Sequence, residues 1–181
     1  MNYDPEKHHR RSIRVPDYDY SQNGWYFVTI CAQNREWMFG NVNDGKMELN
    51  KYGKIVDEYW CEIINHFDHV ELDGYIIMPN HMHGIVIING GNCRGEVISP
   101  LQKTKYYPTL GQIIAYFKYQ STKHINQLRG TPGIKLWQRN YGESHVLRHY
   151  EHIIRDDNDL NRISQYIINN PLNWSDDRYY K

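Results

Sequence analysis

The sequence predicts an α+β fold: a ferredoxin-like antiparallel sheet with helices packed on one face, plus a C-terminal helix carrying a tyrosine. Three observations predict it. Segments rich in β-branched and aromatic residues alternate with amphipathic segments of helical period, in the order β, α, β, β, α, β. Cap and turn residues stand at the junctions. The 181 residues supply one sizeable core and are short for two, so residues 1–181 are expected to form a single domain.

Taken in order, residues 1–23 are polar and read as an extended basic arm. Residues 25–32 (WYFVTICA) read as a buried strand. Residues 37–39 and 46–49, on either side of Asn43-Asp44-Gly45, read as a hairpin with a tight turn. Asn50 is placed to cap a helix over 51–66, where Ile55, Tyr59, Ile63 and Phe67, with Trp60 and Ile64 beside them, make an apolar stripe. Residues 70–78 and 81–88 read as two strands around a Pro79-Asn80 turn. Residues 90–108 read as a basic loop. Thr109 caps a helix over 110–128 with Ile113, Tyr116, Phe117 and Ile125 inward. Residues 137–155 hold one or two short strands. A last helix opens near Asp159 and is stopped by Pro171.

Composition narrows the class. With 40% apolar and 14% aromatic residues the chain can bury a core, which excludes global disorder. No apolar run approaches the roughly 18 residues a membrane span needs, and the N-terminus is charged rather than leader-like. Cys31, Cys61 and Cys93 are odd in number and form no CxxC, which argues against a disulfide framework or a zinc ribbon. The expectation is a soluble, cytoplasmic protein with no membrane partner.

The net charge of zero conceals an asymmetry. Residues 97–142 contain no Asp or Glu but carry Lys103, Lys105, Lys118, Lys123, Arg129, Lys135 and Arg139. A second cluster, Arg10, Arg11 and Arg14 with Lys7, lies in the N-terminal arm. Cations interleaved with Tyr106, Tyr107, Tyr116, Phe117, Tyr119 and Trp137 suit a phosphate backbone with stacked bases. A solvated basic helix face has the same composition.

Two motifs carry chemistry. In His81-Met82-His83 the imidazoles share one face of a strand, about 7 Å apart along it, and can converge on a divalent cation. Met82, Ile85 and Ile87 do not alternate with a single apolar face, so a slip in the alternation is expected near Gly84. Downstream, Tyr166 and Asn170 are i,i+4 neighbours on one side of a helix. By spacing alone, the histidines also suit a strand edge and Tyr166 a half-buried core position. Together the motifs suit two imidazoles and an amide oxygen holding Mg²⁺ or Mn²⁺, with open positions for phosphate oxygens. A tyrosine can then attack and store the bond as a phosphotyrosine, which favours strand transfer over hydrolysis.

The His-hydrophobic-His pattern at 81–83, with Tyr166 four residues before Asn170, resembles the single-tyrosine HUH transposases. Within them the chain looks most like the REP-associated tyrosine transposases. The resemblance runs through Arg10-Arg11-Ser12-Ile13-Arg14, Tyr26-Phe27-Val28-Thr29, Gly74-Tyr75-Ile76-Ile77-Met78-Pro79-Asn80, Leu136-Trp137-Gln138-Arg139 and Tyr166-Ile167-Ile168-Asn169-Asn170-Pro171. It implies metal ligation by His81 and His83, with Asn170 as third ligand. It also implies Tyr166 as the nucleophile that leaves a 5′-phosphotyrosine and a free 3′-OH. The implied partner is single-stranded, hairpin-forming DNA, gripped by Arg10, Arg11, Arg14, Lys103, Lys105, Lys118, Lys123 and Arg139. A homodimer is compatible with it, as is a monomer. One departure is the segment 142–148 (GESHVLR), which half-echoes the residues after it and is expected to displace the Tyr166 helix if it shifts the last strand. Other readings of the same chain are a catalytically silent hairpin-DNA-binding protein and a metal-free RNA-binding module.

Overall fold

The computed structural model describes residues 18–89, 107–138 and 151–180. Arg10, Arg11, Arg14, Lys103, Lys105, Arg139, Cys93 and the segment 142–148 lie outside the described residues.

Strand β1 (Gly24–Cys31) is followed by a hairpin of β2 (Gly40–Asn43) and β3 (Lys46–Leu49). Helix α1 (Lys51–Cys61) and the short α2 (Ile63–His66) come next, then β4 (Val70–Ile77) and β5 (His81–Ile88). Helix α3 (Leu110–Arg129), β6 (Glu151–Ile154) and α4 (Asp157–Asn169) complete the order. The four long-range strands form one antiparallel sheet in the order β4-β5-β1-β6. Leaving out the hairpin, this is the βαββαβ connectivity the sequence predicts, with the first strand central and the last at an edge.

Caps fix the helices where the sequence places them. The Asn50 side chain accepts from the N–H groups of Tyr52 and Gly53. Thr109 and Gln112 form a reciprocal capping box at α3, and Gly130 ends that helix at φ 64°. Asp156 caps α4, accepting from the Asp159 N–H.

The second strand and the turn of the hairpin stand as predicted, and its first strand is displaced. Asp44 (φ 49°) and Gly45 (φ 70°) make a two-residue turn, which pairs Asn43 with Lys46 and sets the first strand at Gly40–Asn43 rather than 37–39. Met38 and Phe39 instead donate their N–H groups to the Pro79 carbonyl. The α1 stripe also differs. Val56, Trp60 and Ile63 face inward, and Ile64 is 48% exposed because Ile63 occupies the inner position one turn after Trp60.

The sheet is covered on both faces. Tyr26, Val28, Ile30, Met82, Val86 and Ile88 pack against Val56, Trp60, Ile113 and Phe117 of α1 and α3. Phe27, Ile85 and Ile87 on the other face pack against Ile163 and Ile167 of α4. No slip occurs at Gly84: β1 and β5 pair in unbroken register from Gly24↔Ile88 to Cys31↔His81. A strand buried on both sides reads as continuously apolar, and that broke the predicted alternation. Among the described residues no helix is long and apolar enough to cross a membrane.

Candidate active site

His81 and His83 lie on the α4 side of β5, opposite Cys31 and Thr29 of β1, and both are fully buried. Their Nε2 atoms stand 3.0 Å apart. Neighbouring ligands around an octahedral ion, with bonds of about 2.1 Å at right angles, lie about 3.0 Å apart. Each ring is held from behind. The Asn80 amide donates to the carbonyls of Tyr179 (2.8 Å) and Arg35 (3.3 Å), so its oxygen accepts from His81 Nδ1–H at 2.8 Å. That leaves His81 Nε2 with a bare lone pair. His83 Nδ1 lies 2.8 Å from the Thr29 hydroxyl. When Nδ1–H donates there, two bare Nε2 lone pairs stand 3.0 Å apart, an arrangement that a cation relieves. Burial, and then the neighbouring His83, Arg178 and Arg35, holds His81 well below the usual imidazole range. Burial, reinforced by Arg178, pushes His83 down to about 3. Both rings are therefore neutral, the form that ligates metals.

Helix α4 brings Tyr166 to this pair. Its hydroxyl lies 3.1 Å from His83 Nε2, and its ring is edge-on to His83 at 5.0 Å and to Phe27 at 6.1 Å. The helix that follows segment 142–148 is thus in place over the histidines. Burial and then Asp177 push the Tyr166 phenol up, with Arg178 and the Asn170 side chain opposing. Asn170 caps the C-terminal end of α4 and is 3% exposed. Its Nδ2 donates to Asp177 at 3.3 Å, while its Oδ1 is buried without a hydrogen-bond partner. An orphaned buried acceptor is costly unless something positive meets it.

The segment after α4 adds what sequence reasoning missed. Asp177 places a carboxylate within 4.8 Å of the ligating nitrogens of His81 and His83. It is steadied by the Tyr179 N–H, which donates to Oδ1 at 2.6 Å. Tyr179 and Trp174 pack their rings 4.4 and 5.9 Å from that of His81. The one sequence signal was the Asp176-Asp177 pair, which follows the tyrosine motif without any distinctive spacing. Two imidazoles, the free Asn170 oxygen and the Asp177 carboxylate fit a divalent cation that accepts N and O donors. Tyr166, Asn170, Asp177, Arg178, Arg162 and His152 line a cleft of about 800 Å³ over this cluster.

Of the predicted nucleic-acid contacts, Lys118 and Lys123 lie on α3, in the layer opposite Tyr166. Lys123 is exposed. Lys118 donates to the Gln138 carbonyl at 3.1 Å, and burial pushes its amine down to about 8. Both line a groove of about 890 Å³ with Tyr119, Lys135 and Trp137.

No protein-family profile matches the chain. It is 38% identical over 185 residues to an uncharacterised protein of Haemophilus influenzae, across 98% of this chain and 97% of that one. A second protein of that organism carries the provisional name REP-associated tyrosine transposase. It is 24% identical over 156 residues, 85% of this chain and 73% of the other. Among solved structures, a REP-associated tyrosine transposase bound to a REP hairpin superposes with a TM-score of 0.56. That match has 17% identity over 89% of this chain and 73% of the other, a likeness of fold. The chain belongs to one family with the first H. influenzae protein, and in sequence and fold alike it is similar to the REP-associated tyrosine transposases.

Proposed function

We propose that the protein is a metal-dependent tyrosine DNA transposase, a single-stranded endonuclease and strand transferase acting on hairpin-forming DNA. The observation that carries this reading is the Tyr166 hydroxyl at 3.1 Å from His83 Nε2, itself 3.0 Å from His81 Nε2. A phenol held against a ligating histidine suits a covalent intermediate, in which a tyrosine rather than water takes the phosphate. The partner class follows from the solved relative bound to a REP hairpin.

His81, His83, Asn170 and Asp177 would hold Mg²⁺ or Mn²⁺, which supplies Lewis-acid polarisation of a phosphate and neutralises developing charge. The rest falls to this chain's own groups. Helix α4 orients the Tyr166 oxygen toward phosphorus, and Phe27 confines the ring from the side. The Tyr166 oxygen forms the new P–O bond as the bond from phosphorus to the 3′-oxygen breaks. The tyrosine proton is released and a proton reaches the leaving oxygen, giving a 5′-phosphotyrosine and a 3′-OH. Reversal by another 3′-OH rejoins a strand. A phenol is protonated at neutral pH and burial here pushes it further from ionising, so attack requires transfer of that proton as the bond forms.

Labelled hairpin DNA incubated with the protein and Mn²⁺, then run on a denaturing gel beside Tyr166→Phe, tests the proposal. A protein–DNA adduct that needs metal and vanishes in the variant is expected. Tight binding without an adduct in the wild type would leave a hairpin-DNA-binding protein without turnover.

A further inference from the structure

Beside the histidine pair lies an aromatic cluster that the chemistry above does not use. Trp37 and Tyr180 are 44% and 46% exposed, with ring centroids 5.4 Å apart. Both rest on Trp174, at 5.4 and 5.2 Å, and Trp174 is itself 5.9 Å from the His81 ring. Two cations share this corner. The guanidinium carbons of Arg35 and Arg178 lie 5.4 and 4.8 Å from the Tyr179 ring centroid, and Tyr179 is 4.4 Å from His81. Arg35 also donates to the Arg178 carbonyl at 3.5 Å.

Trp174 and Tyr179, both buried, are enough to anchor the C-terminal segment on the sheet. Trp37 and Tyr180 pack on Trp174 and still leave nearly half of their surface to solvent. Exposed aromatic rings beside arginines are the elements by which proteins hold single strands, bases stacking on the rings and phosphates on the cations. We propose that Trp37 and Tyr180, whose rings meet at 62°, form a corner platform for a base of the single strand that leads to the Tyr166 cleft, the base stacking on one ring and packing edge-on against the other, with Arg35 and Arg178 on its phosphates. The platform rests on the strand-transferase reading and deepens it, because only the platform ring and Trp174 would separate the stacked base from His81.

The test compares fluorescence anisotropy of a labelled oligothymidine with that of an abasic oligomer of equal length, in chelator. The two probes carry the same phosphates and differ in bases. The wild type is expected to prefer oligothymidine about tenfold. Trp37→Ala and Tyr180→Ala should each cut that preference, the pair together should abolish it, and Tyr180→Phe should keep it. Affinity for the abasic oligomer should not change in any of them. Should Trp37→Ala misfold by circular dichroism, the solvent-facing Tyr180 variants carry the test alone. A preference undiminished in Tyr180→Ala, or a wild type with no preference, overturns the platform while leaving a Tyr166-dependent adduct intact. A wild type that binds neither oligomer overturns the DNA reading and the platform together.

Discussion

Gly84→Ala tests whether the packing under the histidine strand is as tight as the structure has it. Gly84 follows His83 on β5 and points to the opposite face, onto Trp60. A Cβ there would lie 2.4 Å from Trp60 Cζ2 and 3.0 Å from Cη2. Ordinary carbon contacts are about 3.5–4.0 Å, so the ring or the strand must yield by about 1 Å. The ring has little room: Trp60 is fully buried and wedged edge-on against Phe117 at 5.3 Å. Overpacking of this kind costs about 1–3 kcal/mol, which in a chain of this size lowers Tm by about 2–12 °C. Urea and thermal unfolding measure it. Trp60→Phe removes the two clashing atoms, so in a double-mutant cycle it should recover at least about 1 kcal/mol of the Gly84→Ala loss. An unchanged Tm for Gly84→Ala, or strict additivity in the cycle, would refute the reasoning.

Two further outcomes follow from the site itself. His81 and His83 titrate below their unfolded value, so the folded state binds fewer protons and stability falls as pH drops below about 6.5. At pH 5, in chelator, His83 alone should cost about 2 kcal/mol relative to pH 7. Urea unfolding at both pH values should show a shallower dependence in His83→Gln, and an identical dependence would mean the imidazole is not held neutral. Asp177→Asn keeps an oxygen for the Tyr179 N–H but removes the charge, and should weaken Mn²⁺ binding at least about tenfold by titration calorimetry. Unchanged affinity would take Asp177 out of the ligand set.

Local patterns made much of the fold legible. Asn50 and Thr109 marked helix starts because their caps act over three residues, and the β-branched runs at β1, β4 and β5 needed no distant partner to be read. Where two layers meet, the pattern failed. β5 is buried on both faces, so His81 and His83 could be read as sharing a face of the strand, but no polar-apolar alternation around them told that this face meets α4. The first strand of the hairpin lies at Gly40–Asn43 rather than 37–39 because Asp44 and Gly45, not the apolar residues before them, set the pairing. In the site, the histidines, Tyr166 and Asn170 were readable as motifs. Asp177, Asn80 and Thr29 were not, since each earns its place only when the segment after α4 and the edge of β1 fold against β5. The basic stretch was legible as charge, yet composition gave no hint that α3 carries Lys123 on the layer away from Tyr166.

The central claim is that Tyr166 is the group that takes the DNA strand. The most direct measurement is peptide mapping by mass spectrometry of protein reacted with hairpin DNA and Mn²⁺, then digested with nuclease and protease. A nucleotide phosphate on the peptide containing Tyr166, absent from chelated samples, is the predicted result. A modified peptide that carries a different tyrosine, or no modified peptide while strand cleavage proceeds, would contradict it.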